Sequence, residues 1–323
     1  MTRPLLVALR PLGLGDHLTG LPALRALADA FPDHRRVLAT SAAMVPLARH
    51  TGAVDAVTPA QPLAPLDPAL TRPDVAVDLH GRGPASQRVL LALAPRRLVS
   101  FACPEVPETA GGAPWWPEEH EVARWCRMLD HAGIPADPTR LDVDPPVVAV
   151  PPAARGAVLV HVGAAAPGRR WPPERFAAVA RALVAAGDRV VVTGGPLEVA
   201  AATAVAEGAG LPADHVLTAL DLLSLVATVA AAAAVVVGDT GVAHVATAVG
   251  TPSVVLFGPI PPAEWGPPAD RPWHRALWAG RRGDPHGVDL DPGLLALTPQ
   301  QVLAALDGVR RAAAAPVGGV PAP

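Results

Sequence analysis

The 323-residue sequence predicts an α/β protein made of two open, parallel-sheet domains of similar size. Three observations carry that prediction. Short β-branched apolar runs alternate with helical stretches, and several of the runs end in glycine. The alternation stops once, across the proline-rich segment 133–155 (GIPADPTRLDVDPPVVAVPPAAR), which reads as a linker. It then restarts, so the domains are expected at 1–145 and 146–323, facing each other across a cleft. Ligands of such sheets bind beyond the carboxyl ends of the strands, which makes the loops there the ones to search.

In order, Leu5 to Leu9 is an apolar strand, Arg10 to Asp16 a loop (RPLGLGD), and Leu18 to Phe31 an amphipathic helix with Leu21, Leu24 and Leu27 on one side. A strand at 37–40, a helix at 42–50 and a strand at 75–79 follow, the last ending in His80-Gly81-Arg82-Gly83. Next come a helix at 85–93, a strand at 98–101, an irregular tryptophan-bearing stretch at 103–117 and a helix at 118–131. Beyond one possible strand at 147–150, the second half begins with a strand at 158–162, a helix at 174–186 and a strand at 189–193. Gly194-Gly195-Pro196 leads to a helix at 197–208, a short strand near Val216 and a helix at 222–232. Ala234 to Val237 is a buried strand, Val242 to Val249 a helix closed by Gly250, and Ser253 to Phe257 another strand. A helix at 299–314 precedes a tail, 315–323, expected to be disordered.

Composition narrows the function. Half of the chain is hydrophobic, enough for sizeable cores. The formal net charge is −3 with no basic stripe, which argues against nucleic acid as a partner. No run reaches the 18 or so apolar residues of a membrane span, the N-terminus meets Arg, Pro and Asp too early for a signal peptide, and the two cysteines lack metal spacing. A cytoplasmic, monomeric protein is expected, with at most peripheral contact with the inner face of a membrane. Every basic residue is Arg, and Lys, Asn and Tyr are absent, as a GC-rich coding sequence would produce.

Four loops offer chemistry. Gly13-Leu14-Gly15-Asp16 lacks the third glycine of a dinucleotide fingerprint, since position 18 is Leu. Asp16 there is either a helix N-cap or a general base facing the cleft. In Gly163 to Trp171 (GAAAPGRRW), Arg169 and Arg170 are either solvated or placed for a diphosphate, which a guanidinium can grip with two bonds. Glu198, after Gly194-Gly195-Pro196, could bond ribose hydroxyls or only complement a helix dipole. In the Asp239-Thr240-Gly241 turn, small residues at a helix N-terminus suit a phosphate, with His244 one helical turn on. The plainer account is an ordinary cap by Asp239 or Thr240 with His244 packed in the core. Asp142-Val143-Asp144 and Asp289-Leu290-Asp291 match a metal-binding D-x-D, but neither follows a strand, so no metal is expected. The tryptophans are expected to serve packing.

Together, RPLGLGDHLTGLPALRALADAFP, HVGAAAPGRRWPPERFAAVARAL, TGGPLE and GDTGVAHVATAVGTPSVVLFGP resemble, in order and position, the pattern of glycosyltransferase family 9. That family contains the ADP-heptose:lipopolysaccharide heptosyltransferases. The resemblance touches both domains, and the DTGxxH unit with its downstream G-T-P and F-G-P is its most specific part. It implies a GT-B fold, two facing Rossmann-like domains with the acceptor on the first and the nucleotide sugar on the second, and activity without metal or cofactor. Asp16 matches the catalytic base, Glu198 the ribose contact, and Asp239, Thr240 and Gly241 the cradle of the diphosphate and sugar. His244 matches the histidine on that helix. Arg169 stands where the family usually has a phosphate-binding Lys, and Ala165 where it often has Ser or Thr.

The implied reaction is a single inverting displacement, in which an acceptor hydroxyl deprotonated by Asp16 attacks the anomeric carbon of an ADP-sugar, ADP-heptose being the expected donor. The acceptor is a glycan or small molecule, with His80 and Arg82 in the loop 80–88 as its expected contacts. Two other readings fit the same residues: a non-catalytic nucleotide-sugar binder, and another GT-B enzyme such as a sugar-nucleotide epimerase.

Overall fold

The computed structural model describes residues 3–315, which divide into two compact units between Val143 and Asp144. The first holds strands β1 (Leu5–Arg10), β2 (Arg35–Thr40), β3 (Ala56–Pro59), β4 (Val75–Asp78) and β5 (Arg97–Val99). They lie in the order β3-β2-β1-β4-β5, with every pairing parallel. Val7, Leu9, Val37, Ala39 and Ala76 form one core face with Leu66, Leu70, Leu90 and Leu93. The alternate residues Leu6, Ala8, Leu38, Val75 and Val77 are equally buried, so the opposite face is covered as well. Chain order reverses between β1 and β4. A crevice therefore opens beyond their carboxyl ends, at Arg10 and Asp78.

The second unit holds β6 (Val158–His161), β7 (Val190–Thr193), β8 (Val216–Leu217), β9 (Ala234–Gly238), β10 (Ser253–Phe257) and β11 (His274–Trp278). The order is β11-β10-β9-β6-β7-β8, again all parallel. Val158, Val160, Val190, Val192, Val236 and Val254 pack with helical residues from Phe176 to Leu183 and from Val302 to Val309. Leu159, Val191, Val235 and Val255 are buried on the other face. Here the reversal falls between β6 and β9, which places the loops after His161 and Gly238 side by side.

Several expected elements differ. The helix read from Leu18 to Phe31 is two helices, Leu14–Thr19 and Leu21–Ala30. The break is at Gly20, where an added Cβ would lie 2.6 Å from Arg10 Nε, and Pro22 sits in the first turn of the second helix. The helix at 42–50 opens with a 3-10 turn, Ala42–Met44, before Val45–His50. No strand forms at 147–150, where Val147 is fully exposed and has nothing to pack on. The run at 98–101 pairs only as Arg97–Val99, with Phe101 in an isolated bridge to Ala113. Strands β3 and β11 were not anticipated, because four residues ending in Pro and a run opening His-Arg show no clean alternation. Of the expected tail only Ala315 is described; 316–323 lie outside the described residues. Among those described, no helix is long and apolar enough to cross a membrane.

Candidate active site

The first crevice is organised by a buried cation. β1 ends in Arg10, which is fully buried and donates through Nε to Asp16 O at 2.5 Å and through Nη1 to Leu79 O. Its Nη2 reaches Thr19 Oγ1 and Glu121 Oε1, each at 3.2 Å, and the guanidinium lies 4.8 Å from the Trp125 ring centre. Glu121 also accepts from Arg124 and, at 2.7 Å, from Trp125 Nε1, so no charge in the group lacks a partner.

Asp16 is not an N-cap. It is the third residue of a helix capped by Gly13, and its carboxylate reaches back to Gly13 N at 3.2 Å. That is one arm of a capping box, and it leaves the rest of the carboxylate available. On the neighbouring loop His80 is half-buried, its backbone N–H held by Asp78 Oδ1 at 2.9 Å and its Nδ1 buried without a hydrogen-bond partner. Burial and the Arg10 charge lower the His80 pKa, while the Asp16 carboxylate is close enough to oppose them. Arg82 is exposed in the same loop. Asp78 below is fully buried; desolvation raises its pKa to about 6 although Ser86 Oγ donates to it at 2.7 Å. His17, beside Asp16, is fully buried with both ring nitrogens unpartnered, and burial with the Arg10 charge lowers its pKa to about 4.

In the second unit the loops after β6 and β9 meet. Arg169 Nη1 donates to Asp239 Oδ2 at 3.1 Å, while Arg169 Nε is buried with no partner. Burial raises the Asp239 pKa against the pull of Arg169. Asp239 is therefore ion-paired and not a cap. Thr240 occupies the N-cap position of the Gly241–Val249 helix, but its side chain makes no capping bond, so backbone N–H groups of the first turn remain to be satisfied. His244 is half-buried and edge-on to Trp265, with ring centres 5.8 Å apart, so it is not a core residue. Glu198 turns back to accept from Gly195 N at 2.7 Å, with Arg170 3.8 Å away. Arg170 also donates to Ala164 O at 2.9 Å and is not simply solvated. Of the two D-x-D sequences, Asp291 caps a short helix by accepting from Leu294 N at 2.9 Å.

Two side chains at these crevices, Arg10 and His161, are not among the residues that the sequence pattern singles out. Arg10 carries a visible signal, a cation closing an apolar strand. His161 closes β6, bonds Thr193 Oγ1 at 3.0 Å and is lowered to about 4 by burial. Gly163 is hemmed in by both partners, since an added Cβ would lie 3.0 Å from His161 Nε2 and 3.3 Å from Glu198 Cδ. The loop around Gly287, which accepts Gly168 N at 3.0 Å and braces the Arg169 turn, is marked in the sequence only by the adjoining Asp289-Leu290-Asp291, which says nothing of that contact.

Two parallel-sheet units, each gathering its polar loops at a topological switch point, define an α/β protein of the GT-B type. The model of glycosyltransferase family 9 (heptosyltransferase) matches residues 114–281, just over half of the sequence, and the chain belongs to that family. Lipopolysaccharide heptosyltransferase 3 of Escherichia coli is 30% identical over 167 residues, covering 49% of this chain and 42% of the relative. The chain thus spans less than half the length of that curated relative. Among solved structures, E. coli ADP-heptose lps heptosyltransferase II superposes with a TM-score of 0.74 at 21% identity, covering 98% of this chain and all of the other. E. coli heptosyltransferase WaaC, solved with ADP, gives 0.70 at 18% identity, covering 94% and 99%. The same enzyme has been solved with ADP-2-deoxy-2-fluoro heptose.

Proposed function

We propose that the chain is an inverting, metal-independent heptosyltransferase that moves heptose from ADP-heptose to a hydroxyl of a glycan or small molecule. Family membership supports the reaction class, and the ADP-bound relatives support the donor. The observation that carries the reading is the uncapped N-terminus of the Gly241–Val249 helix, beside an arginine whose buried Nε has no partner. A diphosphate satisfies both deficits at once: the helix end offers N–H donors and a positive dipole, and Arg169 offers a charged, forked donor.

In this reading the second unit binds the donor. Arg169 and the N–H groups around Thr240 and Gly241 stabilise charge as it gathers on the departing ADP, each charged hydrogen bond contributing about 1.5–3 kcal/mol. Glu198 contacts the ribose through the oxygen not held by Gly195, while Asp239 and His244 meet the sugar. The first unit presents the acceptor, with His80 and Arg82 as contacts. Asp16 takes the hydroxyl proton as the oxygen attacks the anomeric carbon and the bond to the diphosphate oxygen breaks. Inversion follows from attack opposite the leaving group. General-base catalysis of this kind contributes about 10²–10⁴-fold.

The test is Asp16→Asn, which keeps the acceptor atom facing Gly13 N but is no base. The reading expects ADP release from ADP-heptose, with acceptor supplied from a glycan panel, to fall by about 10²-fold or more while ADP affinity is unchanged. Full activity in the variant removes Asp16 from the mechanism, and absence of ADP binding by the parent chain removes the donor assignment.

A further inference from the structure

We propose that Arg10 is a positioning residue, a buried staple that holds the segment bearing Asp16 against the loop bearing His80. The proposal rests on the reading of Asp16 as the base. Arg10 bonds neither the Asp16 carboxylate nor the His80 ring. It acts on the backbone: Nε on the Asp16 carbonyl and Nη1 on the Leu79 carbonyl, immediately before His80. Thr19 Oγ1 and Glu121 Oε1 take Nη2. Three segments far apart in sequence (the Leu14–Thr19 helix, the turn after β4 and the Glu121–His131 helix) are thereby tied to one rigid plane.

Only a guanidinium meets this geometry. Its donors are spread over a fixed fork, whereas an ammonium has three donors at one point and cannot span two carbonyls, a hydroxyl and a carboxylate. The surroundings are shaped for it. Gly20 leaves the room the guanidinium fills, because a Cβ there would sit 2.6 Å from Nε and 2.8 Å from Cδ. Glu121, itself buried, divides its carboxylate between Arg10, Arg124 and Trp125. Well-packed apolar residues can replace a buried ion group without loss of stability, so stability alone does not account for a cation here. What apolar residues cannot do is fix two carbonyls, one at Asp16 and one adjoining His80. A reacting group misplaced by 1 Å costs about a hundredfold in rate, which is the scale on which such a staple matters.

The test uses the full chain and three variants. Arg10→Lys keeps the charge and loses the fork. Gly20→Ala keeps Arg10 but displaces it. Arg10→Met combined with Glu121→Gln removes the Arg10 charge together with its carboxylate partner, and Arg124 keeps the carbonyls of Trp116, Pro117 and Glu119. The measurements are kcat and KM for ADP release from ADP-heptose, ADP affinity by calorimetry, and the NMR titration of His80, assigned through His80→Gln. For Arg10→Lys and Gly20→Ala, kcat should fall roughly tenfold to a hundredfold with ADP affinity unchanged. In the double variant His80 should titrate at higher pH, having lost a nearby positive charge. Should the double variant not fold, the two single variants decide. Unchanged kcat in both overturns the proposal. If the parent releases no ADP, the heptosyltransferase reading fails separately. The staple then stands if the His80 resonances shift in Gly20→Ala, and falls if they do not.

Discussion

Arg169 reaches Asp239 across 70 residues of sequence, Nη1 to Oδ2 at 3.1 Å, and ties the loop after β6 to the turn after β9. The two strands are neighbours at the point where strand order reverses, so the sheet itself brings the pair together. The pairing is incomplete: one carboxylate occupies one arm of the guanidinium, and Nε is left buried without an acceptor. An anion arriving at the uncapped helix end finds donors already desolvated, where hydrogen bonds to charge are strongest.

Replacing Arg169 should therefore weaken ADP binding more than it weakens the fold. Arg169→Met removes one charged hydrogen bond or more and leaves Asp239, already pushed up by burial, without its cation. The expected loss of ADP affinity is roughly tenfold to a hundredfold. Arg169→Lys should lose less, because it retains the charge without the fork. Isothermal calorimetry with ADP on the three proteins checks the order. Equal affinities would take the diphosphate away from Arg169.

Acid should destabilise the protein well above the carboxylate range. His17, His161 and His274 are each lowered by burial to about 4. A histidine depressed in the folded state is taken up by protons first in the unfolded chain, which titrates near 6.5. The stability is thus fully present above about 6.5 and is lost as pH falls toward 4, by up to roughly 3 kcal/mol per residue. Against a typical total of about 5–15 kcal/mol, three such residues matter. Thermal melts followed by tryptophan fluorescence should show a Tm that drops steadily from pH 7 to 4.5. A flat profile contradicts the burial of these neutral rings.

The fold was legible in the sequence because its signals are local. Buried central strands do not need a partner to be recognised: AVVV at 234–237 and SVVLF at 253–257 are too apolar and β-branched to be anything else. Short edge strands gave no such signal, and β3 and β11 went unseen because their identity comes from a neighbour's hydrogen bonds. At the crevices, residues next to glycine turns stood out, among them Asp16, Glu198 and Asp239. Those whose role lies in long-range contacts did not: Arg10 meets Glu121 over 111 residues, and Gly168 meets Gly287 only because the chain returns there. Asp16 as an N-cap was a plausible local reading, overturned because Gly13 starts the helix earlier.

Asp78 should titrate with the opposite sign to the histidines. Burial raises it from 3.8 to about 6, so between those values the unfolded chain loses its proton first and stability falls as pH rises. The span corresponds to about 3 kcal/mol. Three histidines outweigh one aspartate, so the effect is visible only by difference. Asp78→Asn keeps an acceptor for the His80 N–H and does not titrate. Relative to wild type, the variant should gain about 3 kcal/mol between pH 4 and pH 7, measured by denaturant unfolding at each pH. A difference that does not change with pH would mean the carboxyl is not desolvated.

Two glycines near the second crevice should respond differently to the same added methyl group. At Gly168 a Cβ would lie 2.8 Å from Asp289 O and 2.9 Å from Gly287 O. Both are backbone atoms of the loop that braces the Arg169 turn, and neither can rotate away. Gly168→Ala should therefore cost about 1–3 kcal/mol and shift the turn, lowering ADP affinity as well. At Gly163 the obstacles are the side chains of His161 and Glu198, at 3.0 and 3.3 Å. Both are side-chain ends rather than backbone, and the Glu198 carboxylate can turn about its own torsions, so Gly163→Ala should cost less stability than Gly168→Ala. Its main cost should appear in binding, because a displaced Glu198 leaves Gly195 N and is no longer presented to a ribose. Tm and ADP affinity measured on both variants separate the cases: a joint loss in the first, a loss chiefly of affinity in the second. If Gly163→Ala binds ADP as the parent does, Glu198 is a capping residue of its own loop and nothing more.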